Sequence, residues 1–301
     1  MVHKAPQPDL VDLHVHSSAS DGALAPREVV RHAAEVGLKA IALTDHDTVA
    51  GLAEARAAGE EFGVEVIPGV EVSAEFEAGA CHILGYFIDP ANVSLGELLA
   101  DAREGRAKRN ADILARLRGL GFDLTMDDVA GRVTDGTLTR AHFAAAMVEK
   151  GFAKSWEEAF DKYLGRDKPA YVYRQRVTPE ESIRAIHASG GLASLAHPRQ
   201  LNRGAAETDE WIGRLAGAGL DAVETATPDH TPNFARRYHE AAERLGLLET
   251  GGTDWHGRED SAIFLGLGRG AMLVHYELVR KMKERLAARG AGKQQKNHGT
   301  D

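Results

Sequence analysis

The chain has 301 residues, 43% apolar and 27% charged, a globular composition long enough for a substantial core in one large α/β domain or a domain carrying an insertion. Its formal net charge of −9 excludes the overall basic footprint of a protein that grips duplex nucleic acid by its phosphates. The sole cysteine, Cys81, rules out an internal disulfide and a cysteine-rich zinc site, and it fits a reducing compartment as a small buried strand residue. No run approaches the ~20 consecutive apolar residues of a membrane span, and Met1 to Pro8 lacks a leader's apolar core, so cytoplasm is the expected compartment.

In chain order, apolar runs and their punctuation predict a strand over Leu10 to His14, a helix from Pro26 to Val36, a strand over Lys39 to Thr44, a helix from Val49 to Phe62 and a strand over Val64 to Ile67. Pro26 suits the first helical position, and Gly37 and Gly63 suit helix ends. Alternation at this pitch reads as parallel βαβ units. A strand over Cys81 to Phe87 follows, and then the texture changes: residues 92–171 are rich in Arg and Lys with helical spacing at Leu95, Leu98, Leu99, Ile113, Leu114, Leu117 and Leu120. This stretch is expected to be an inserted helical subdomain capping the substrate. Alternation resumes with helix Pro179 to Ser189, strand Leu192 to Ala196, helix Thr208 to Ala218, strand Ala222 to Thr225, helix Asn233 to Leu245, strand Leu247 to Gly251 and a closing helix Val274 to Arg289, before a polar tail, 290–301, that is expected to be frayed and disordered. Roughly seven repeats suffice to close a barrel whose ligands gather at the carboxyl ends of its strands.

Seven short segments deliver His, Asp or Glu to such strand ends. The first is Asp12-Leu13-His14-Val15-His16, where alternate strand residues turn two imidazoles to one face, Cα atoms ~7 Å apart. The others are Asp21, Thr44-Asp45-His46-Asp47, Gly69-Val70-Glu71-Val72, His82, Ala196-His197-Pro198 and Gly252-Thr253-Asp254-Trp255-His256. Imidazole with carboxylate and no thiolate suits Mn, Fe or Zn in an open catalytic site. Asp12, Asp45 and Asp47 read either as groups that orient the histidines through their other ring nitrogen or as turn and cap residues. Ser73, Ser194 and Ser261 lack a nucleophile pattern. His3, His32, His187, His239, His275 and His298 fall outside the pattern.

Together Asp12-x-His14-x-His16, Asp21-Gly22, Thr44-Asp45-His46-Asp47, Gly69-x-Glu71-x-Ser73, His82, Ala196-His197-Pro198 and Asp254-x-His256-Gly257 resemble the polymerase-and-histidinol-phosphatase (PHP) family of metal-dependent phosphoesterases. Within the insertion, Arg103-Glu104-Gly105-Arg106 to Asn110, Arg140-Ala141-His142-Phe143 and Tyr163-Leu164 to Tyr171-Val172 resemble the branch of 3′,5′-nucleoside bisphosphate phosphatases and 5′-to-3′ exoribonucleases. The resemblance implies an α/β fold, a distorted (β/α)7 barrel over residues 9–91 and 172–289 with 92–171 inserted, holding three divalent ions, foremost Mn, with Fe or Zn as alternatives. By the same resemblance His14, His16, Glu71 and Asp254 hold the first ion, Glu71, His82 and His197 the second, and Asp21, His46 and His256 the third. Asp21 stands where some relatives carry His, which makes that site more oxygen-rich and favours Mn. Counting the ions' own charge leaves about +2 to draw in a phosphate dianion. Clustered ions also lower the pKa of a bridging water to give a hydroxide nucleophile and clamp the phosphoryl oxygens.

Arg106, Arg109, Arg140 and His142, with Lys168 and Tyr171 beside them, are candidates for a second phosphate site, since guanidinium binds phosphate in a planar, bidentate way; the competing reading is a solvated helix face. His230, in Thr227-Pro228-Asp229-His230 after a strand, is a candidate catalytic acid for the leaving oxygen, and Arg140 and His142 are candidates to assist; as a lone histidine His230 also reads as a surface residue. The expected activity is hydrolysis of a phosphomonoester, the 3′-phosphate of a nucleoside 3′,5′-bisphosphate. The expected partner is a small phosphorylated nucleotide or short oligonucleotide, with no membrane and no obligate protein partner implied. The rivals are a 5′-3′ exonuclease on short RNA or DNA, a histidinol-phosphate phosphatase, which would not need the Arg-rich insertion, and a non-catalytic PHP module.

Overall fold

The computed structural model describes residues 9–74, 81–130, 138, 140–172, 177–258 and 261–297. Seven strands form one curled sheet in sequence order: β1 (Val11–Val15), β2 (Ala40–Leu43), β3 (Glu65–Ala74), β4 (Cys81–Tyr86), β5 (Leu192–Leu195), β6 (Ala222–Ala226) and β7 (Leu248–Gly251). β1, β2 and β3 pair in parallel, as do β5, β6 and β7. β4 is antiparallel to both its neighbours, which the reading of parallel units did not foresee. The cause is the short link from Ala74 to Cys81, too short for the crossover that a parallel partner requires. β3 is also longer than expected and carries Glu71 within it. At the carboxyl end the sheet edges are drawn together by the segment after β7: His16 N donates to Trp255 O (2.9 Å), and Trp255 N donates to His14 O (3.3 Å).

Helices α1 (Pro26–Val36) and α2 (Leu52–Phe62) cover the first half of the sheet and stop at Gly37 and Gly63, whose φ of 82° and 76° suits glycine. In the second half α7 (Pro179–Ala188) begins in a capping box in which Thr178 Oγ1 accepts from Glu181 N and Glu181 Oε2 accepts from Thr178 N. α8 (Ala205–Gly217) and α9 (Pro232–Leu245) follow β5 and β6. The closing helix α10 runs Glu277–Asn297, so 290–297 is helical where a frayed tail was expected; Ala, Lys and Gln there are good helix formers. His3 and His298 lie outside the described residues.

The insertion has its own core. Ile113, Leu117, Leu124, Phe143, Met147 and Leu164 are fully buried together, supplied by α3 (Val93–Gly119), the loop after it, α5 (Arg140–Glu149) and the π-helical turn Phe160–Leu164, with α4 (Met126–Ala130) and α6 (Trp156–Ala159) alongside. The first turns of α3 belong elsewhere: Leu95 and Leu99 pack in the barrel core beside Ile183 and Ile186. The helix therefore joins the two cores, and its start at 93 is not a boundary between them. No helix among the described residues is long and apolar enough to cross a membrane.

Candidate metal centre

β1 turns His14 and His16 to one side, both fully buried. Their Nε2 atoms converge on the same two oxygens: Glu71 Oε2 lies 3.3 Å from each, and Asp254 Oδ1 lies 3.4 Å from His14 and 3.2 Å from His16. Glu71 looks two ways. Its Oε2 also lies 2.9 Å from His46 Nδ1, while Oε1 lies 2.8 Å from His82 Nδ1 and 3.0 Å from His197 Nε2, which are themselves 3.3 Å apart. Asp21 gathers the remainder, with Oδ1 3.3 Å from His256 Nε2 and Oδ2 3.8 Å from His46 Nε2. All nine histidines and carboxylates proposed from the sequence as ligands thus meet at one end of the sheet. Three overlapping groups have ligand atoms close enough to share an ion: His14, His16, Glu71 and Asp254; His16, Asp21, His46 and His256; and His46, Glu71 and His82.

The chemistry of the donors fits divalent cations. His14 Nε2, both nitrogens of His16, His46 Nδ1 and Glu71 Oε2 are buried without an aligned hydrogen bond although oxygens or nitrogens crowd them. Each such group costs about 1–3 kcal/mol when left unpaired, and several converging on one point is the arrangement a cation relieves. Burial opposes the charge on Glu71, yet the imidazoles of His46, His82 and His14 hold it well below the ordinary carboxylate range. Asp21 is likewise buried, and His46, His256 and His16 hold it low. Burial also opposes a proton on His46, but Glu71 and Asp21 push it up to about 9; His16, buried and beside His256, falls to about 4.

Further hydrogen bonds hold these side chains in place. His256 Nδ1 donates to Asp254 O (2.8 Å), which fixes the ring with Nε2 facing Asp21. Glu224, on β6 and fully buried, accepts from His14 Nδ1 at Oε1 (3.2 Å) and from His197 N at Oε2 (2.7 Å). Sequence reasoning missed Glu224; the available signal was a lone carboxylate inside the apolar strand Ala222 to Thr225. Of the two roles read for Asp12 and Asp45, the contacts match turn and cap residues and not imidazole partners: Asp12 accepts from Thr253 N and Oγ1, Gly266 N and His14 N, and Asp45 from Ser17 N and Oγ and Ser20 Oγ. They brace backbone and hydroxyls and not imidazoles, and burial pushes Asp12 up to about 6 despite those four donors. Asp47 accepts from Ser73 N (2.8 Å) and Arg106 Nη2 (2.6 Å).

The backbone is constrained where the chain leaves the strands beside the cluster. His197 (φ 25°), Asp254 (φ 53°) and Asp47 (φ 54°) adopt left-handed conformations that cost non-glycine residues about 1–3 kcal/mol each. At Gly252 a Cβ would lie 2.3 Å from His14 N, so only glycine lets the β7 loop pass against β1.

From the insertion, Arg106 reaches the barrel: Nη2 binds Asp47 Oδ2 and Ser73 Oγ (2.7 Å), and its charge is felt at His46. Arg103 Nη1 donates to Asp47 O (2.6 Å). Arg109 is buried against Asn110 Oδ1 and Leu138 O, and Arg140 donates to Leu164 O and lies 5.2 Å over the Tyr171 ring. His142 is half-buried on α5 and Lys168 is exposed. His230 follows β6, with Nδ1 3.0 Å from Thr225 O.

A curled α/β barrel with imidazoles and carboxylates clustered beyond its strand ends defines a metal-dependent hydrolase scaffold. The comparisons with known proteins name the family. The PHP domain matches residues 12–164. The chain is 38% identical to the 3′,5′-nucleoside bisphosphate phosphatase of Chromobacterium violaceum over 248 residues, 82% of this chain and 87% of that protein. It is 37% identical to the 5′-3′ exoribonuclease Rnm of Escherichia coli over 249 residues, 82% of this chain and 85% of that protein. A solved structure of a candidate metal-dependent phosphoesterase from Bifidobacterium adolescentis superposes with a TM-score of 0.75 at 31% identity, covering 92% of this chain and 96% of that one. The chain belongs to the PHP family and is a hydrolase of phosphoester bonds.

Proposed function

We propose that the protein removes the 3′-phosphate from nucleoside 3′,5′-bisphosphates with three divalent ions, Mn foremost. The observation that carries this reading is the double role of Glu71, whose two oxygens face separate groups of imidazoles, as a carboxylate shared between neighbouring cations must. His14, His16, Glu71 and Asp254 would hold one ion, Glu71, His82 and His197 a second, and Asp21, His46 and His256 a third. Such ions supply an activated water at neutral pH and charge for the phosphoryl oxygens. The chain's own residues do the rest. Glu224 and Asp254 O fix which nitrogens of His14 and His256 face inward. Arg106, held by Asp47 and Ser73, keeps a guanidinium beside the cluster at the root of the insertion, where a second phosphate of the same substrate would lie. The Arg-rich insertion and the similarity to the C. violaceum phosphatase favour this substrate over a small monophosphate.

The test is release of inorganic phosphate by the Mn-loaded protein from adenosine 3′,5′-bisphosphate, compared with mononucleotide release from a short 5′-phosphorylated oligonucleotide, with bound metal counted by mass spectrometry. Bisphosphate turnover with three ions bound supports the reading. Activity on the oligonucleotide alone gives the site to the exonuclease reading, and metal binding without either activity overturns both.

A further inference from the structure

We propose that Arg103 of the insertion is a positioning residue for the cation assigned to Asp21, His46 and His256, acting through the backbone of Asp47; this rests on the three-ion reading above. All three of those side chains belong to the barrel, and His46 lies in the segment that the insertion grips. The main chain on either side of His46 is pinned to β3, where Glu71 N donates to Asp45 O (3.2 Å) and Asp47 N donates to Glu71 O (2.9 Å). The ring of His46 lies with Nδ1 2.9 Å from Glu71 Oε2 and Nε2 3.8 Å from Asp21 Oδ2. The next residue, Asp47, is buried in the left-handed region at φ 54°, which costs a non-glycine residue about 1–3 kcal/mol and persists only where the surroundings hold it.

Contacts from both parts of the molecule hold it. From β3, Glu71 O accepts from Asp47 N, and Ser73 N donates to Asp47 Oδ1 (2.8 Å). From α3, Arg106 Nη2 donates to Asp47 Oδ2 (2.6 Å), and Arg103 Nη1 donates to Asp47 O (2.6 Å). Glu71 O thus fixes the amide end of the strained residue and Arg103 its carbonyl end, and φ is set between them. Releasing the carbonyl lets φ fall back to the ordinary negative range, which turns the peptide before Asp47 and with it the imidazole of His46. Arg103 lies between Leu99, packed in the barrel core, and Arg106, so the helix that carries the insertion closes on the turn beside a cation ligand. Arg103 is itself exposed, and its replacement opens no cavity. A solvated helix charge would not bond the main chain of a buried residue in another part of the fold.

The experiment compares the native chain with Arg103→Met, which keeps an extended side chain without a donor, and Arg103→Lys, which restores a donor. Mn binding is followed by chelator competition with bound metal counted by mass spectrometry, and hydrogen exchange at the Asp47 amide is read by NMR in the metal-free chain. In Arg103→Met one of the three ions is expected to bind about tenfold more weakly while the other two keep their native affinity, the scale on which partners behind a metal ligand act. Exchange at Asp47 N should rise in the same variant, and Arg103→Lys should recover most of both. Native affinity for all three ions in Arg103→Met, equal weakening of all three, unchanged exchange at Asp47 N, or a lysine variant no better than the methionine one overturns the proposal. A native chain that takes up fewer than three Mn ions removes the three-ion reading and this proposal with it, whereas three ions in the native chain and an unaffected Arg103→Met remove the proposal alone.

Discussion

Replacing Glu224 with Gln tests whether the cluster depends on a residue that touches no proposed cation. Glu224 is fully buried and accepts from two donors, His14 Nδ1 at 3.2 Å and His197 N at 2.7 Å. Gln keeps the shape but has one acceptor oxygen. The backbone N–H of His197 cannot reverse, so the oxygen turns to it and the amide NH2 faces His14. His14 then places its hydrogen on Nε2, toward Glu71 Oε2 and Asp254 Oδ1, 3.3 and 3.4 Å away, where a cation needs a lone pair. Loss of such orienting partners typically weakens metal affinity or activity about 10- to 100-fold. The metal-free protein should lose stability too, because Glu71, Asp254 and Glu224 together raise the His14 imidazole well above its ordinary pKa and Gln removes one of those carboxylates; each 1 kcal/mol would move Tm by roughly 2 °C at this size. Chelator-competition titration with Mn and melting curves with and without metal separate the two effects. Glu224→Ala goes further, because both donors lose their partner at about 1–3 kcal/mol each, and the metal-free protein should melt earlier still. Glu224→Gln with native Mn affinity and native turnover would refute the argument.

Three further outcomes are expected. Metal loading at pH 7 should release protons, because His46, raised to about 9 by Glu71 and Asp21, is protonated in the metal-free chain; its stabilising contribution there is full below the ordinary imidazole value and is lost as pH rises through about 9, so release on loading should shrink by pH 10, as pH-stat titration would record. Arg106→Ala takes one guanidinium from the buried Asp47 carboxylate, for which about 1–3 kcal/mol of destabilisation is expected, together with a raised KM for the bisphosphate; calorimetry and steady-state kinetics check each, and an unchanged KM would remove Arg106 from the substrate. Phe143→Ala should cost about 3–5 kcal/mol in the insertion core, with hydrogen exchange rising across α5 and leaving β1 to β3 protected; uniform loss of protection would mean the two cores unfold as one.

The barrel was legible because its strands are short apolar runs separated by helices that announce their ends, as at Pro26, Gly37 and Gly63. The clustered histidines and carboxylates were legible because each lies in, or just after, one of those runs. What escaped is tertiary in origin. The direction of β4 depends on what the link before it can span, and the barrel-core part of α3 shows no sequence break from its insertion part. Glu224 looked like strand filler, since a carboxylate that orients an imidazole is recognisable only once His14, 210 residues away, is beside it. Asp12 and Asp45 read either as imidazole partners or as turn residues from sequence, and only the fold shows their oxygens filled by backbone amides and hydroxyls from loops.

The continuity of α3 sets a limit on motion. Its 27 residues make a rod of about 40 Å, seated in the barrel at Leu95 and Leu99 and in the inserted bundle at Ile113 and Leu117, with Arg106 midway and bound to Asp47 and Ser73 of the barrel. A flexible tether would let the inserted bundle swing freely; this spine makes its distance from the barrel a property of one helix, and adding or removing a turn of it would shift the bundle against the barrel without disturbing the sheet.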